Sequence, residues 1–231
     1  MLVAAVVAVL VIYEVTRNHT VNADEVIFFV VLIPSIILHE VSHGAVALVF
    51  GDDTAKRAGR LTLNPLRHVD PIGTVILPAI LVLAHAPAFG YAKPVPVNVS
   101  RLRDPRNQSV VVSLAGPMVN IIISAACLVG LRYVATPFTM VNDVNVGGWS
   151  SWNIVYWLGL ANVLLAAFNL LPIPPLDGSA VIERLLPRSW WPGWLRLRTY
   201  ALPVLILLVL WLPQLRAGLF DHVANWWDSL L

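Results

Sequence analysis

The sequence predicts an all-α polytopic membrane protein with five to six transmembrane helices and a re-entrant, partly extended segment at about 60–98. Composition is the first ground. Of 231 residues, 58% are hydrophobic and only 12% charged, and the mean hydropathy is +0.76. A soluble domain of this length is nearer half apolar and a quarter charged, so the surplus apolar surface must face lipid. Patterning is the second. The apolar residues gather in runs at about 2–16, 26–50, 72–89, 109–131, 152–171 and 200–215. A bilayer crossing needs roughly 20 such residues. Tryptophans cluster near the run ends, at Trp149, Trp152 and Trp157 and again at Trp190, Trp191 and Trp194, as an interfacial belt would.

The opening run has neither a basic n-region nor a small-residue cleavage site and reads as an anchor rather than a signal peptide. The runs at 26–50, 109–131 and 152–171 are long enough to span, whereas the first and last need tilt or local thinning. The run at 72–89 decides the topology. Pro71 precedes it, Gly73 and Pro78 interrupt it, and Pro87 and Gly90 close it. If it enters and leaves by one face, the 15 Lys and Arg divide 12 against 3; if it crosses, they divide 6 against 9. The positive-inside rule favours the first arrangement. That gives five crossings and places the helix ends at Phe50 and Leu171 on the cytoplasmic side, although a sixth crossing also fits the raw hydropathy. Non-helical backbone at membrane depth must then pack on protein or line a wet cavity. At the end of the chain Leu219, Val223, Trp226 and Leu230 share a helical face, expected to lie in the interface.

One membrane-embedded domain over 1–231 is expected, with a main part at about 26–180 and C-terminal helices at about 181–231. The net charge of +2 is too small to argue for nucleic-acid binding. The single Cys127 excludes an intrachain disulfide.

Chemistry enters at His39-Glu40-Val41-Ser42-His43. Positions i and i+4 of a helix share a face, so both imidazoles can reach one metal ion, and Glu40 can polarise a water on it. The surrounding segment from Val26 to Phe50 is otherwise apolar. An ionised Asp, Lys or Arg at that depth costs about 2.5–3.5 kcal/mol, so a cluster of ionisable groups needs a compensating partner, and a metal supplies one. Gly44, one turn after Glu40, would leave room for a substrate backbone. Pro34 could kink the helix near the site, or be an ordinary membrane-helix proline.

A catalytic zinc takes three protein ligands and keeps one position open. The candidate third ligand is Asp177, in Asn169-Leu170-Leu171-Pro172-Ile173-Pro174-Pro175-Leu176-Asp177-Gly178. The prolines make this stretch extended rather than helical and could carry a carboxylate back to the bundle. Asp-Gly is also a common turn pair, and alone that reading would win. Beside a two-histidine site lacking a ligand, the metal reading is preferred. Ser113, Gly116, Asn120 and Ser124 form a small or polar stripe on the 109–131 helix, read as helix packing, with Asn120 within possible reach of the site. His68 and Asp70 could pair locally, though a solvated loop is the better reading.

Taken together, His39-Glu40-x-x-His43 and the downstream Asn-x-x-Pro-x-Pro-x-x-Asp-Gly resemble the site-2 protease family of intramembrane zinc metalloproteases. Gly59-Arg60-Leu61-Thr62-Leu63-Asn64-Pro65, Lys93-Pro94-Val95-Pro96-Val97-Asn98 and Ala115-Gly116-Pro117-Met118-Val119-Asn120 resemble its compact members, without a PDZ domain or CBS pair. The resemblance covers about 26–180 and implies one zinc per chain, bound by His39, His43 and Asp177. It further implies Glu40 as general base and Asn169 orienting the substrate or stabilising the oxyanion. The expected function is regulated intramembrane proteolysis: cleavage within the transmembrane segments of membrane-anchored proteins. The expected setting is a bacterial plasma membrane, multi-pass, with the active site toward the cytoplasm and with lipid and a transmembrane protein substrate as partners. A strand-like Leu61-Thr62-Leu63 would offer an edge for unwound substrate. Two other classes compete. A metal or ion transporter suits an intramembrane His/Glu/Asp cluster, but no second copy of either motif suggests paired halves. A proteolytically inactive binding relative would lack a ligand or base, and none is missing.

Overall fold

Apolar side chains recurring through 23–49, 105–133 and 151–169 leave the backbone no partner but itself in lipid, and each stretch is a helix. The computed structural model describes residues 23–70, 93–133, 151–190 and 213–231, with a few more between 192 and 204. The runs expected at 2–16 and 72–89, and most of that at 200–215, lie outside the described residues. Among those described, every regular element is helical: α1 (Ala23–Val49), α2 (Thr54–Arg57), α3 (Pro105–Tyr133), α4 (Ser151–Asn169), α5 (Ser179–Leu185) and α6 (Pro213–Ser229). Single 3-10 turns occupy Pro65–Arg67, Val99–Arg101 and Arg188–Trp190. Within the described residues, α1 from Val26, α3 and α4 are long and apolar enough to cross a membrane.

Two sets of hydrogen bonds fix the directions of these helices. At one end the carboxylate of Asp24 accepts from Asn153 Nδ2 at 2.8 Å and from Trp157 Nε1 at 3.2 Å, so α1 and α4 start together and run parallel. At the other end the Arg103 amide donates to the Phe50 carbonyl at 3.1 Å, so α3 starts where α1 finishes and returns antiparallel. Lys56, Arg57, Arg101, Arg103 and Arg106 sit around this second end in the chain, while Arg132 closes α3 at the first.

Close approach comes from small residues, which lipid-exposed bundles use in place of a hydrophobic driving force. Ala161 packs under Ile27 and Val31, Ala47 under Leu102 and Val112, and Gly159 takes the Trp227 ring. Cys127, Leu131 and Leu160 complete the Trp227 cluster. Pro34 is exposed and α1 continues through it.

The tail differs from expectation. It is a helix, but instead of lying in the interface it runs antiparallel along α4, with Phe220 stacked on Phe168 and the Tyr156 hydroxyl donating to Asp228 at 2.7 Å. Arg132 donates to the Leu230 carbonyl at 2.6 Å. The buried anchor is Trp227 at 1% exposure, while Trp226 of the expected apolar face stays outside. Hydrophobic periodicity located the face only to within one residue, because the groove beside Gly159 accepts a flat ring. The expected strand at Leu61-Thr62-Leu63 is also absent: Leu61 and Thr62 form a bend, and the chain continues through Leu63 to the 3-10 turn.

Candidate metal centre

One turn of α1 separates His39 from His43, and both rings point into the crevice between α1 and α3, buried, with centroids 4.8 Å apart. Each ring is held at its inner nitrogen. His43 Nδ1 lies 2.7 Å from the Val112 carbonyl, and His39 Nδ1 lies 2.5 Å from Asn120 Oδ1. Both partners are oxygens that accept, so both imidazoles carry their proton on Nδ1 and present a bare lone pair at Nε2.

Those lone pairs face a carboxylate. Asp177 Oδ2 is 3.0 Å from His39 Nε2 and 3.5 Å from His43 Nε2. It is buried and has no hydrogen-bond donor. Three lone pairs converging without a proton between them repel unless a cation sits among them. The ligand atoms lie within 4.8 Å of one another, and a tetrahedral zinc with ligands at about 2.0–2.1 Å spaces them roughly 3.4 Å apart. The residues fit a metal.

The loop that delivers Asp177 is more compact than expected. It is a succession of bends and turns, closed where the Gly178 amide donates to the Asn169 carbonyl at 2.7 Å and containing a cis Pro174–Pro175 bond. A backbone made non-helical by proline can still fold on itself when its ends are bonded. Asp177-Gly178 is therefore both a turn and a wall of the cluster.

Glu40 flanks the cluster from α1. Its Oε2 accepts from the Val95 amide at 2.8 Å, so the Lys93–Asn98 segment lies directly over it. Arg60 secures that segment by donating to the Lys93 carbonyl at 2.6 Å. Asn169, at the last turn of α4, spends its amide on the Leu165 carbonyl at 3.0 Å.

Two glycines behave differently from the sequence reading. The space beside Gly44 is filled by the chain itself, since a Cβ there would sit 2.7 Å from Leu61 and 2.8 Å from Val95. It makes room for the Lys93–Asn98 segment, not for substrate. Gly116, assigned to helix packing, presses on the cluster: a Cβ there would lie 2.5 Å from both His39 Cε1 and His43 Nε2. Val112, Gly116 and Asn120 thus touch the two histidines: Val112 was not singled out in the sequence, Gly116 was read as packing, and only Asn120 was given possible reach of the site. The available signal was their common face on α3, which packing explains equally well.

Comparison with known proteins bears on the same residues. The chain is 41% identical over 199 residues to "Putative zinc metalloprotease YwhC" of Bacillus subtilis, covering 82% of this chain and 85% of that one. The family model for peptidase family M50 matches residues 129–212. The chain belongs to that family. Among other relatives, "Putative zinc metalloprotease Rip2" of Mycobacterium tuberculosis H37Rv is 31% identical over 192 residues, 83% of this chain and 69% of that one. "Zinc metalloprotease MJ0392" of Methanocaldococcus jannaschii is 25% identical over 164 residues, 71% of this chain and 35% of that one. No solved structure matches the chain. M50 membership makes this a zinc metalloprotease of the site-2 protease family, and His39, His43 and Asp177 are a group able to hold its metal.

Proposed function

We propose that this M50 peptidase is an intramembrane endopeptidase that cuts within transmembrane segments of membrane-anchored substrates, as a step of regulated intramembrane proteolysis. The observation that carries the reading is the convergence of His39 Nε2, His43 Nε2 and the donorless Asp177 Oδ2 between helices of membrane length. On this reading His39, His43 and Asp177 bind one zinc. The ion supplies Lewis acidity, which makes water a competent nucleophile near neutral pH.

The chain's own groups do the rest. Glu40, one residue after His39, takes the proton of the attacking water and returns it to the leaving amine. Its Oε2 is held by the Val95 amide, which leaves Oε1 for that proton. Asn169 turns its amide from the Leu165 carbonyl to the substrate carbonyl, where a single donor is worth roughly 10²–10³ in rate. The Lys93–Asn98 segment and its counterpart at 60–68 are the neck of a re-entrant excursion over 60–98, and substrate unwinds against them. The whole chain works as one membrane-embedded unit of five crossings. Its active site opens toward the cytoplasm of a bacterial cell, a setting supported by the basic residues gathered at that end of α1 and α3.

The test is Glu40→Gln beside wild type, each reconstituted in liposomes with a single-span reporter. Cleavage in wild type and a fall of about 10²–10⁴-fold in the variant, at equal zinc content, is the expected result. Undiminished cleavage by the variant, or zinc flux without any cleavage, would overturn it.

A further inference from the structure

Behind His39 lies a second set of buried polar groups. Asn120, Asn162 and Ser35 are each no more than 1% exposed, on three different helices, in a protein interior where unpaired amides are costly. They form a single line. Asn120 Nδ2 donates to Asn162 Oδ1 at 2.6 Å, Asn162 Nδ2 donates to Ser35 Oγ at 2.8 Å, and Ser35 Oγ donates to the Val31 carbonyl at 2.7 Å. The other Asn162 amide hydrogen goes to the Leu158 carbonyl at 2.8 Å.

The line has only one self-consistent direction. The Leu158 carbonyl can only accept, and Ser35, whose proton is committed to Val31, also accepts. Both therefore require the NH₂ side of Asn162, so its Oδ1 must face Asn120. That oxygen in turn requires the NH₂ of Asn120, which turns Asn120 Oδ1 toward His39. His39 must then donate from Nδ1, so that in the neutral ring Nε2 is the bare nitrogen, facing Asp177. A main-chain carbonyl on α4 thus sets the tautomer of a side chain on α1 through two amides on α4 and α3. The line also begins and ends on α1, since Ser35 and His39 lie one turn apart, so it fixes ring orientation as well as proton position.

We propose that Asn162, backed by Ser35, is a positioning residue for His39, acting through Asn120 to keep Nε2 free for the metal. The inference rests on the zinc reading above. Outer partners of this kind typically contribute 10–100-fold to metal affinity.

The test uses the full chain in detergent, stripped of metal and titrated with zinc against a chelator: wild type, Asn162→Leu, Ser35→Ala and Ser124→Ala. Ser124 is the control, because its hydroxyl ties α3 to α4 through the Gly159 carbonyl at 3.0 Å without joining the line. Zinc affinity should fall about 10–100-fold in Asn162→Leu, less in Ser35→Ala, and stay unchanged in Ser124→Ala. The visible spectrum of the cobalt-loaded protein should shift only in the first two. Wild-type affinity and spectrum in Asn162→Leu, or an equal loss in Ser124→Ala, would overturn the proposal. Should Asn162→Leu fail to fold, nitrogen NMR of metal-free wild type decides: a proton on His39 Nδ1 is expected, and an unprotonated Nδ1 contradicts it. Absence of zinc binding in wild type would count against the metal site instead, and the NMR result would still judge the line.

Discussion

The tightest contact at the candidate centre is made by a residue without a side chain. Gly116 lets α3 lie against the two imidazoles, and even a methyl group would meet His43 Nε2 at 2.5 Å. Overpacking of this kind costs about 1–3 kcal/mol, and here the strain falls on the rings that would bind metal. Gly116→Ala should therefore weaken zinc binding by about tenfold or more while the helical content, read by circular dichroism, is unchanged; chelator competition measures it. At this scale the sequence was legible wherever spacing dictates chemistry. His39 and His43 are one helical turn apart, and Asp177 follows a proline-rich exit from a long apolar run. It was not legible where one spacing serves two purposes. Gly116 and Asn120 lie on one face of α3, as packing residues would, and only the placement of α1 against that face shows what they touch.

Among the elements, the junction after α1 ties the rest to the site. Asp52, fully buried, accepts from the Asn98 amide at 2.6 Å, from the Thr54 amide at 3.0 Å and from the Thr54 hydroxyl, with Arg101 at 3.9 Å. It pins the far end of the Lys93–Asn98 segment to the end of α1. Burial raises its carboxyl, but these donors outweigh burial and hold it below the ordinary carboxylate range. A depressed folded-state pKa adds stability that is present above the unfolded value, near 3.9, and is lost as pH falls through the folded one. Asp52→Asn should thus cost about 2 kcal/mol at pH 7, seen as a lower thermal midpoint in detergent. The gap to wild type should narrow below about pH 4. A gap constant from pH 7 to pH 3 would contradict this account. Charge patterning could not have found the role of Asp52, because its main partners are backbone amides 2 and 46 residues away.

At the scale of the molecule, three parallel or antiparallel helices among the described residues bring His39, His43 and Asp177 to one level. α1 brings two, the loop after α4 brings the third, and α3 lies between them as the surface against which the rings are oriented. The apolar runs at 26–50, 109–131 and 152–171 gave these spans to within a few residues, since lipid leaves helix as the only solution for such segments. The course of α6 was not readable in the same way. Its hydrophobic face suits a membrane surface as well as a protein groove, and the groove exists only once Gly159 and Trp227 meet. The central claim is that this assembly closes a three-ligand zinc site. It is tested most directly by zinc per chain in detergent-purified protein, wild type beside Asp177→Ala. Near one zinc in wild type and a clear loss in the variant is the predicted result. No metal in either after zinc is supplied, or full retention in the variant, would contradict it.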